Sequence, residues 1–503
     1  MKKAWIILLL LMHGIVYAQT IKNFSRSGDQ LTKFDELGRA VDAHDGEVTY
    51  FEGKYYLYGT SYDCGFEWNN KTAPFCGFKS YSSTDMVNWT DEGFLFDAQN
   101  ELWQNRCDGK TYGCFRPHVV FNTNTSRYVL WINVYDNVSG YRVFTSESPT
   151  GPFVEVAEPK IAVNASQPAA GLNNGDHDLF VDEDGRCYLA ITDWRRDGAI
   201  VIEELTEDYL SGTGRVSDLV TSGRTEAPAL FKRKGIYYLT YSDPNCGYCA
   251  GTGTSYKTAK SPLGPWSEGI QISDNSCGGQ PSFVTALQVD NETVFLYGSD
   301  LWNNAAKNEA LANFFWAPLT FDADGAIEPL HCITSFSMTR ERHQPTEEPV
   351  ESEESEFRAF CDIGNSIQRA QSFTANASGE LHSFVITTLK SGYPTEDLLL
   401  SFYESEEGQP AGDKALQTLS IAAADIGWSA KPFTLSPHIN VKAGKQYVVV
   451  LHSATQQGCY GFAFGDRQNA GPESASISQD AGKTFRKEGN RVLKTEWTIA
   501  SRP

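Results

Sequence analysis

Three short segments place a lone acid just ahead of an apolar strand. Asp45-Gly46-Glu47-Val48 leads into Tyr55-Tyr56-Leu57-Tyr58. Asp176-His177-Asp178-Leu179-Phe180 leads into Cys187-Tyr188-Leu189, and Glu226-Ala227-Pro228-Ala229-Leu230-Phe231 into Tyr237-Tyr238-Leu239. One hairpin used repeatedly, with an acid at the same place, aims several carboxylates at a common axis. Two carboxyl groups about 6.5–9.5 Å apart across a sugar ring can hydrolyse a glycosidic bond with inversion. One stays protonated and feeds the leaving oxygen; the other takes a proton from water. Glu226, ahead of Ala227-Pro228, sits in an apolar setting that raises a carboxyl pKa and suits the acid. Asp45, between His44 and Gly46, has a more polar setting that suits a base that stays ionised. Asp176 is placed to orient the acid and tune it by charge proximity. A lone Asp or Glu at the head of a strand usually just caps a turn. Three in one register favour chemistry. Asp182, Glu183 and Asp184 run into Gly185 and are read as turn residues.

The elements that must position these acids recur beyond them. Arg116-Pro117-His118-Val119-Val120-Phe121 leads to Tyr128-Val129-Leu130-Trp131, and Gln280-Pro281-Ser282-Phe283-Val284 to Val294-Phe295-Leu296-Tyr297. The five hairpins therefore begin at Asp45, Arg116, Asp176, Glu226 and Gln280, at intervals of 71, 60, 50 and 54 residues by subtraction. Intervals of that order signal a repeat architecture, and the Tyr-, Val- and Ile-rich segments between Gly, Asp and Asn read as strands. Glu52-Gly53 and Asp184-Gly185 supply turns. Ser148-Pro149-Thr150-Gly151-Pro152-Phe153 and Ser261-Pro262-Leu263-Gly264-Pro265-Trp266 look like outer turns that tuck an aromatic between units. The fold class is all-β: a five-bladed β-propeller, then a β-sandwich. Sugar sites need flat apolar faces, and Trp68, Trp103, Trp131, Trp194, Trp302 and Trp316 fall near inner-strand ends or in the loops after them. Core packing explains about half of these equally well.

The chain has 503 residues, room for two or three domains. Lys2 and Lys3, the apolar run Ile6 to Met12, and Val16-Tyr17-Ala18 have the form of a signal peptide over residues 1–18, and imply export to the periplasm or medium. Residues 19–340 are expected to form the propeller and carry catalysis. An acidic, Pro-containing linker follows at 341–356. Over 357–503 strands such as Ser383-Phe384-Val385-Ile386-Thr387 and Gln446-Tyr447-Val448-Val449-Val450-Leu451 predict a jelly-roll-like sandwich, for which sugar binding and a structural cap are both open. The net charge of −21 argues against nucleic acid or an anionic membrane as partner. No later apolar run is long enough to insert in a bilayer. A neutral plant polysaccharide or oligosaccharide, taken by a monomer, is the expected partner. Eleven cysteines in an exported chain imply disulfides and at least one free thiol. Cys64 with Cys76 and Cys107 with Cys114 bracket short loops, Cys361 and Cys459 could staple the sandwich, and Cys187 reads as the buried free thiol. Cys246-x-x-Cys249 follows a strand and has no second pair at zinc spacing, so neither redox nor metal use is assigned.

From roughly Asp42 to Cys332 the chain resembles glycoside hydrolase family 43. Asp45 with Tyr55, the segment Asp176 to Gly185 with Tyr188-Leu189, and Glu226 with its Pro228 and Tyr237-Tyr238-Leu239 carry the likeness. The resemblance implies an inverting hydrolase of arabinose-, xylose- or galactose-containing glycans. In it Asp45 is the base, Asp176 the pKa modulator and Glu226 the acid. The run Glu226 to Lys232, with Gln280, is similar to the branch that includes exo-β-1,3-galactanases. That branch often lacks the first Asp and carries a galactose-binding Glu before Arg-Pro, where this chain has Phe115. The stretch Asp243 to Cys249 is similar to a group acting on arabinofuranose side chains. The leading expectation is thus an exo-acting α-L-arabinofuranosidase on arabinogalactan-type glycans. An exo-β-1,3-galactanase or β-D-galactofuranosidase is the alternative, and a non-catalytic glycan-binding propeller the alternative of another class. His44, Phe115, Arg116, Trp131, Trp194 and Gln280 are the expected substrate contacts. No organic cofactor is implied. Many members hold a structural calcium near the channel, often with a His from the last blade, where Gln280 stands here, so no metal ligand is assigned.

Overall fold

Each of the five hairpins grows into a small antiparallel sheet. The computed structural model describes residues 20–500 apart from 26–27, 66–72, 108–112, 135–139, 163–173, 245–249, 290–291, 303–307, 339–355, 467–472 and 489–490. The signal-peptide reading, nearly all of the linker, Trp68, Cys246 and Cys249 lie outside the described residues. The first sheet comprises His44–Phe51, Lys54–Thr60, Phe78–Ser83 and Thr90–Phe94. The second comprises Cys114–Asn122, Arg127–Val134, Gly140–Ser146 and Val154–Ala157. The third runs over Asn174–Val181, Cys187–Asp193, Ala199–Leu205 and Gly212–Val216. The fourth runs over Glu226–Arg233, Ile236–Ser242, Thr254–Ala259 and Ile270–Ser273. The fifth has three strands, Gln280–Val289, Glu292–Leu301 and Asn313–Pro318. Its outer side is finished by the N-terminal segment: the Asn23 side chain exchanges hydrogen bonds with both backbone groups of Trp316. The innermost strands contact one another in ring order, fifth to first included, so the sheets are blades of a closed propeller.

Alternation along each strand decides what holds the blades together. Successive side chains point to opposite faces, and here both faces are covered. Leu130 packs between the first and second blades, and its neighbour Trp131 between the second and third. Leu230 packs between the third and fourth, and Phe231 between the fourth and fifth. This is why the strands read as continuous apolar runs rather than alternating ones. The outer turns do tuck aromatics between blades: Phe153 is buried beside Leu95 and Phe96, and Trp266 packs on the cluster shared by Tyr188 and Leu230. Apolar side chains fill the gaps between blades and leave the axis to polar ones.

After residue 355 two seven-stranded antiparallel sheets face each other. Between them lie Phe373, Phe384, Phe402, Tyr447 and Leu451 from both sheets. Four disulfides are described, Cys64–Cys76, Cys107–Cys114, Cys277–Cys332 and Cys361–Cys459. Cys187 is the free thiol among the described cysteines and is buried. The Cys277–Cys332 link had no signal in its spacing. Disulfides at this density point to an oxidising compartment. No helix among the described residues is long and apolar enough to cross a membrane.

Candidate active site

The five hairpin heads share one backbone irregularity. The register of the first two strands of each blade slips between His44 and Glu47, Phe115 and His118, Asn174 and His177, Glu226 and Ala229, and Pro281 and Phe283. A bulge bends the strand and re-aims a side chain. Asp45, Arg116 and Ala227 take left-handed φ values of 56°, 58° and 51° to do so. Gly46 is needed beside them, because a Cβ there would stand 2.1 Å from the Tyr58 carbonyl oxygen. The acids thus lie within the first turn of pleat of their strands, turned toward the axis.

At the axis the five heads join in one network. Asp45 Oδ1 accepts from Thr60 Oγ1 at 2.8 Å and from the Arg116 backbone N–H at 3.2 Å, and Oδ2 from the Tyr62 hydroxyl at 3.1 Å. The Arg116 guanidinium donates to Asp176 Oδ2 at 3.0 Å and to the Pro281 carbonyl at 3.2 Å. Asp176 Oδ2 also accepts from the Ala227 N–H at 3.1 Å, and Gln280 Nε2 donates to Glu226 Oε1 at 2.7 Å. A second tier repeats the motif two residues further in. Glu47 accepts from the Val119 N–H and Asp178 from the Leu230 N–H, both at 2.6 Å. Carboxylates of the first and third blades therefore stitch each to the blade that follows, and satisfy themselves in doing so.

Burial sets the electrostatics. Glu226 is pushed up to about 8, by desolvation first and then by the charge of Asp176, against the pull of Arg116. Asp45 is pushed up to about 7 by desolvation; Arg116 opposes this and Asp300 adds to it. Thr60, Tyr62 and Arg116 are polar partners of Asp45, but at 6% exposure burial works against the ionised form expected of a base. His44 lies between Asp42 at 3.3 Å and Asp300 at 4.0 Å. Burial works against its charge, but Asp42, Asp300 and Asp45 outweigh it and raise its pKa. His118 stands between Asp178 at 3.2 Å and Glu47 at 3.7 Å, whereas His177, beside it, is driven well below the usual histidine range by burial and by His118.

Several expected contacts sit elsewhere. Trp131 has no exposed surface, and its Nε1–H is bound by the Tyr209 carbonyl, so its ring is interblade core rather than a sugar platform. His44 is likewise wholly buried, stacked on Phe314, and acts on the site by its charge interactions with Asp42, Asp300 and Asp45. Phe115 is 8% exposed and packs in the cluster between the first two blades. Trp194 is half-buried over Gly175, next to Asp176. Asp182 takes the predicted turn and adds bonds to Lys232 and Tyr237. Asp42, Tyr62 and Asp300 had no distinguishing signal: each lies outside the five hairpin heads. Among the described residues no three His, Cys, Asp or Glu are grouped to hold a metal ion.

The family model for glycosyl hydrolases family 43 matches residues 38–325. A β-D-galactofuranosidase of Aspergillus niger is 31% identical over 233 residues, 44% of this chain and 62% of that protein. An arabinoxylan arabinofuranohydrolase of Bacillus subtilis is 25% identical over 257 residues, 45% of this chain and 49% of that protein. The chain thus spans less than two thirds of the length of either. Two solved exo-β-1,3-galactanases share the fold. The one from Phanerochaete chrysosporium has a TM-score of 0.52 at 18% identity, over 88% of this chain and 100% of that one. The one from Clostridium thermocellum has 0.53 at 20%, over 96% and 97%.

Proposed function

The chain belongs to glycosyl hydrolases family 43, and from that premise we propose that it is an exported, exo-acting, inverting furanosidase. Its substrates are terminal β-D-galactofuranosyl or α-L-arabinofuranosyl groups on polysaccharide side chains, arabinogalactan-type glycans among them. The two sugars have the same ring configuration and differ by one exocyclic CHOH. A hydrophobic wall discriminates weakly against such a difference. The sequence put arabinose first. The more similar of the two curated relatives is named for galactofuranose, and this moves galactofuranose to the front. In this reading the propeller carries catalysis.

The observation that carries the reaction type is the environment of Glu226: half-buried, with its pKa raised to about 8, and beside Asp176, which Arg116 links to Asp45. Glu226 gives its proton to the glycosidic oxygen as the bond to the anomeric carbon breaks. Asp45 takes a proton from the water that attacks that carbon from the opposite face. Desolvation first, and then Asp176, keep Glu226 protonated, and Asp176 is itself held by Arg116 and the Ala227 N–H.

The test supplies 4-nitrophenyl β-D-galactofuranoside, 4-nitrophenyl α-L-arabinofuranoside and a debranched β-1,3-galactan, and follows the first-formed anomer by NMR. Furanose release with inversion is expected. Galactose as the main product from the galactan would replace the furanosidase reading by an exo-β-1,3-galactanase. Binding without release from any substrate would leave a non-catalytic glycan-binding propeller.

A further inference from the structure

Residues 61–65 follow the second strand of the first blade and belong to no strand. Tyr62, which donates to Asp45 Oδ2, is in this segment. No sheet ladder places it: the segment is held by the Cys64–Cys76 disulfide, by the Ser61 N–H donating to the Gly77 carbonyl at 2.9 Å, by the Tyr62 ring against Trp302, and by side-chain and interdomain bonds. From the propeller, Asp42 accepts from Ser61 Oγ at 2.5 Å, from the Tyr62 N–H at 2.9 Å and from the Asp63 N–H at 3.2 Å. From the C-terminal sandwich, the Ser429 N–H donates to Asp63 Oδ1 at 2.7 Å. Gly427 comes so close that a Cβ on it would stand 2.1 Å from the same oxygen, and a Cβ on Gly65 would meet the Trp428 ring at 2.6 Å. The sandwich segment is fastened in turn. Asn308 of the fifth blade donates to the carbonyls of Lys390 and Trp428 at 3.0 Å, and the Ala40 N–H to that of Ala430 at 2.7 Å.

We infer that Asp63 is a positioning residue through which the C-terminal sandwich holds Tyr62 against Asp45, so that the sandwich completes the catalytic site. The inference rests on Asp45 being the base. A hydrogen bond to the ionised carboxylate favours the charged form, so a displaced Tyr62 leaves Asp45 harder to ionise. The groups facing Asp45 are Thr60 and Tyr62 of its own blade, Arg116 of the second, Asp300 of the fifth, and the adjacent His44. Those facing Asp63 are Asp42 and Lys79 of the first blade and Lys431 and Lys390 of the sandwich. None of the latter touches Asp45 in a way that replaces the Tyr62 hydroxyl.

The full chain carrying Asp63→Ala, Asp63→Asn, Gly427→Ala, Tyr62→Phe or Asp45→Asn is assayed on the aryl furanosides across pH, with thermal melting as a control. Asp63→Ala and Gly427→Ala are expected to lower kcat about tenfold below neutral pH. The acidic limb should move up by about one pH unit, toward the Tyr62→Phe profile, with KM within about twofold. Asp63→Asn keeps an oxygen for the Ser429 N–H and is expected to restore the limb. Gly427→Ala approaches the contact from the sandwich side and decides the matter if Asp63→Ala does not fold. Wild-type limbs in Asp63→Ala or Gly427→Ala, alongside an inactive Asp45→Asn, would overturn the inference and leave the proposed function standing. Wild-type turnover by Asp45→Asn would instead overturn the base assignment, and the inference with it.

Discussion

The axis of the propeller and the interior of the sandwich are built from the same kind of strand and filled in opposite ways. Between the two sheets of the sandwich, Phe373, Phe384 and Phe402 have no exposure at all. Its buried cations are each partnered, Arg369 by Asp362 and Glu488 and Lys390 by the Ala423 carbonyl. At the propeller axis Asp45, Glu47, Arg116, His118, Asp178 and Asp300 are all buried. The difference follows from how each region closes. Two sheets laid face to face set their inward aromatic side chains against other apolar ones. Blades packed side by side spend their apolar residues on the gaps and bring only strand heads to the centre. There the neighbouring blade offers backbone N–H groups to each carboxylate, which offsets much of the desolvation that makes a buried charge costly. Groups poised for proton transfer are possible at the axis and excluded from the sandwich core.

The contrast can be tested from its largest consequence down. Glu226→Gln should lower turnover of a natural glycan by about 10²–10⁴-fold, the usual worth of general acid help. An activated aryl glycoside should lose less, and equal losses on the two in steady-state assays would count against Glu226 as the acid. The same substitution should stabilise the fold. Glu226 has its folded pKa raised above its unfolded value, so the folded protein holds a proton that the unfolded chain releases, and stability falls as pH rises from about 5 to about 8. The melting temperature of Glu226→Gln should therefore exceed that of the wild type by a margin that grows across this window. Phe402→Ala should do the reverse, costing about 3–5 kcal/mol in chemical denaturation while leaving kcat per folded molecule unchanged.

A smaller effect is expected from pH. With Asp45 near 7 and Glu226 near 8 in the free protein, kcat/KM should follow a narrow bell. It rises as Asp45 loses its proton and falls as Glu226 loses its own, by about tenfold per pH unit outside the window. A broad plateau from pH 5 to 7 would show that no essential base titrates near 7. Smallest of all should be Trp131→Phe. It removes the hydrogen bond to the Tyr209 carbonyl, worth about 1 kcal/mol of stability, and should leave KM for any glycan within about twofold. A large rise in KM would return that ring to the sugar site.

Much of this organisation was legible in the residues themselves. Five hairpin heads in register, each followed by an aromatic strand, suffice for the five blades, because a repeat writes its period into the chain. Asp45, Arg116, Asp176, Glu226 and Gln280 were all visible as heads, and they do converge in one hydrogen-bonded network. Cys64 with Cys76 and Cys107 with Cys114 were legible because short loops leave few partners. What the residues could not show was where each side chain points once the ring closes. A strand covered on both faces has no polar side to mark its orientation, so Trp131 gave no sign that it belongs between blades. Burial of Asp45 was equally hidden, since the groups that surround it, Arg116 and Asp300 among them, are brought in from positions up to 255 residues away by subtraction. Local sequence determines strands, turns and their period. Closing the propeller and docking the sandwich on its Asp63 loop depend on contacts between distant residues, and those contacts set the burial and the proton affinities on which the chemistry depends.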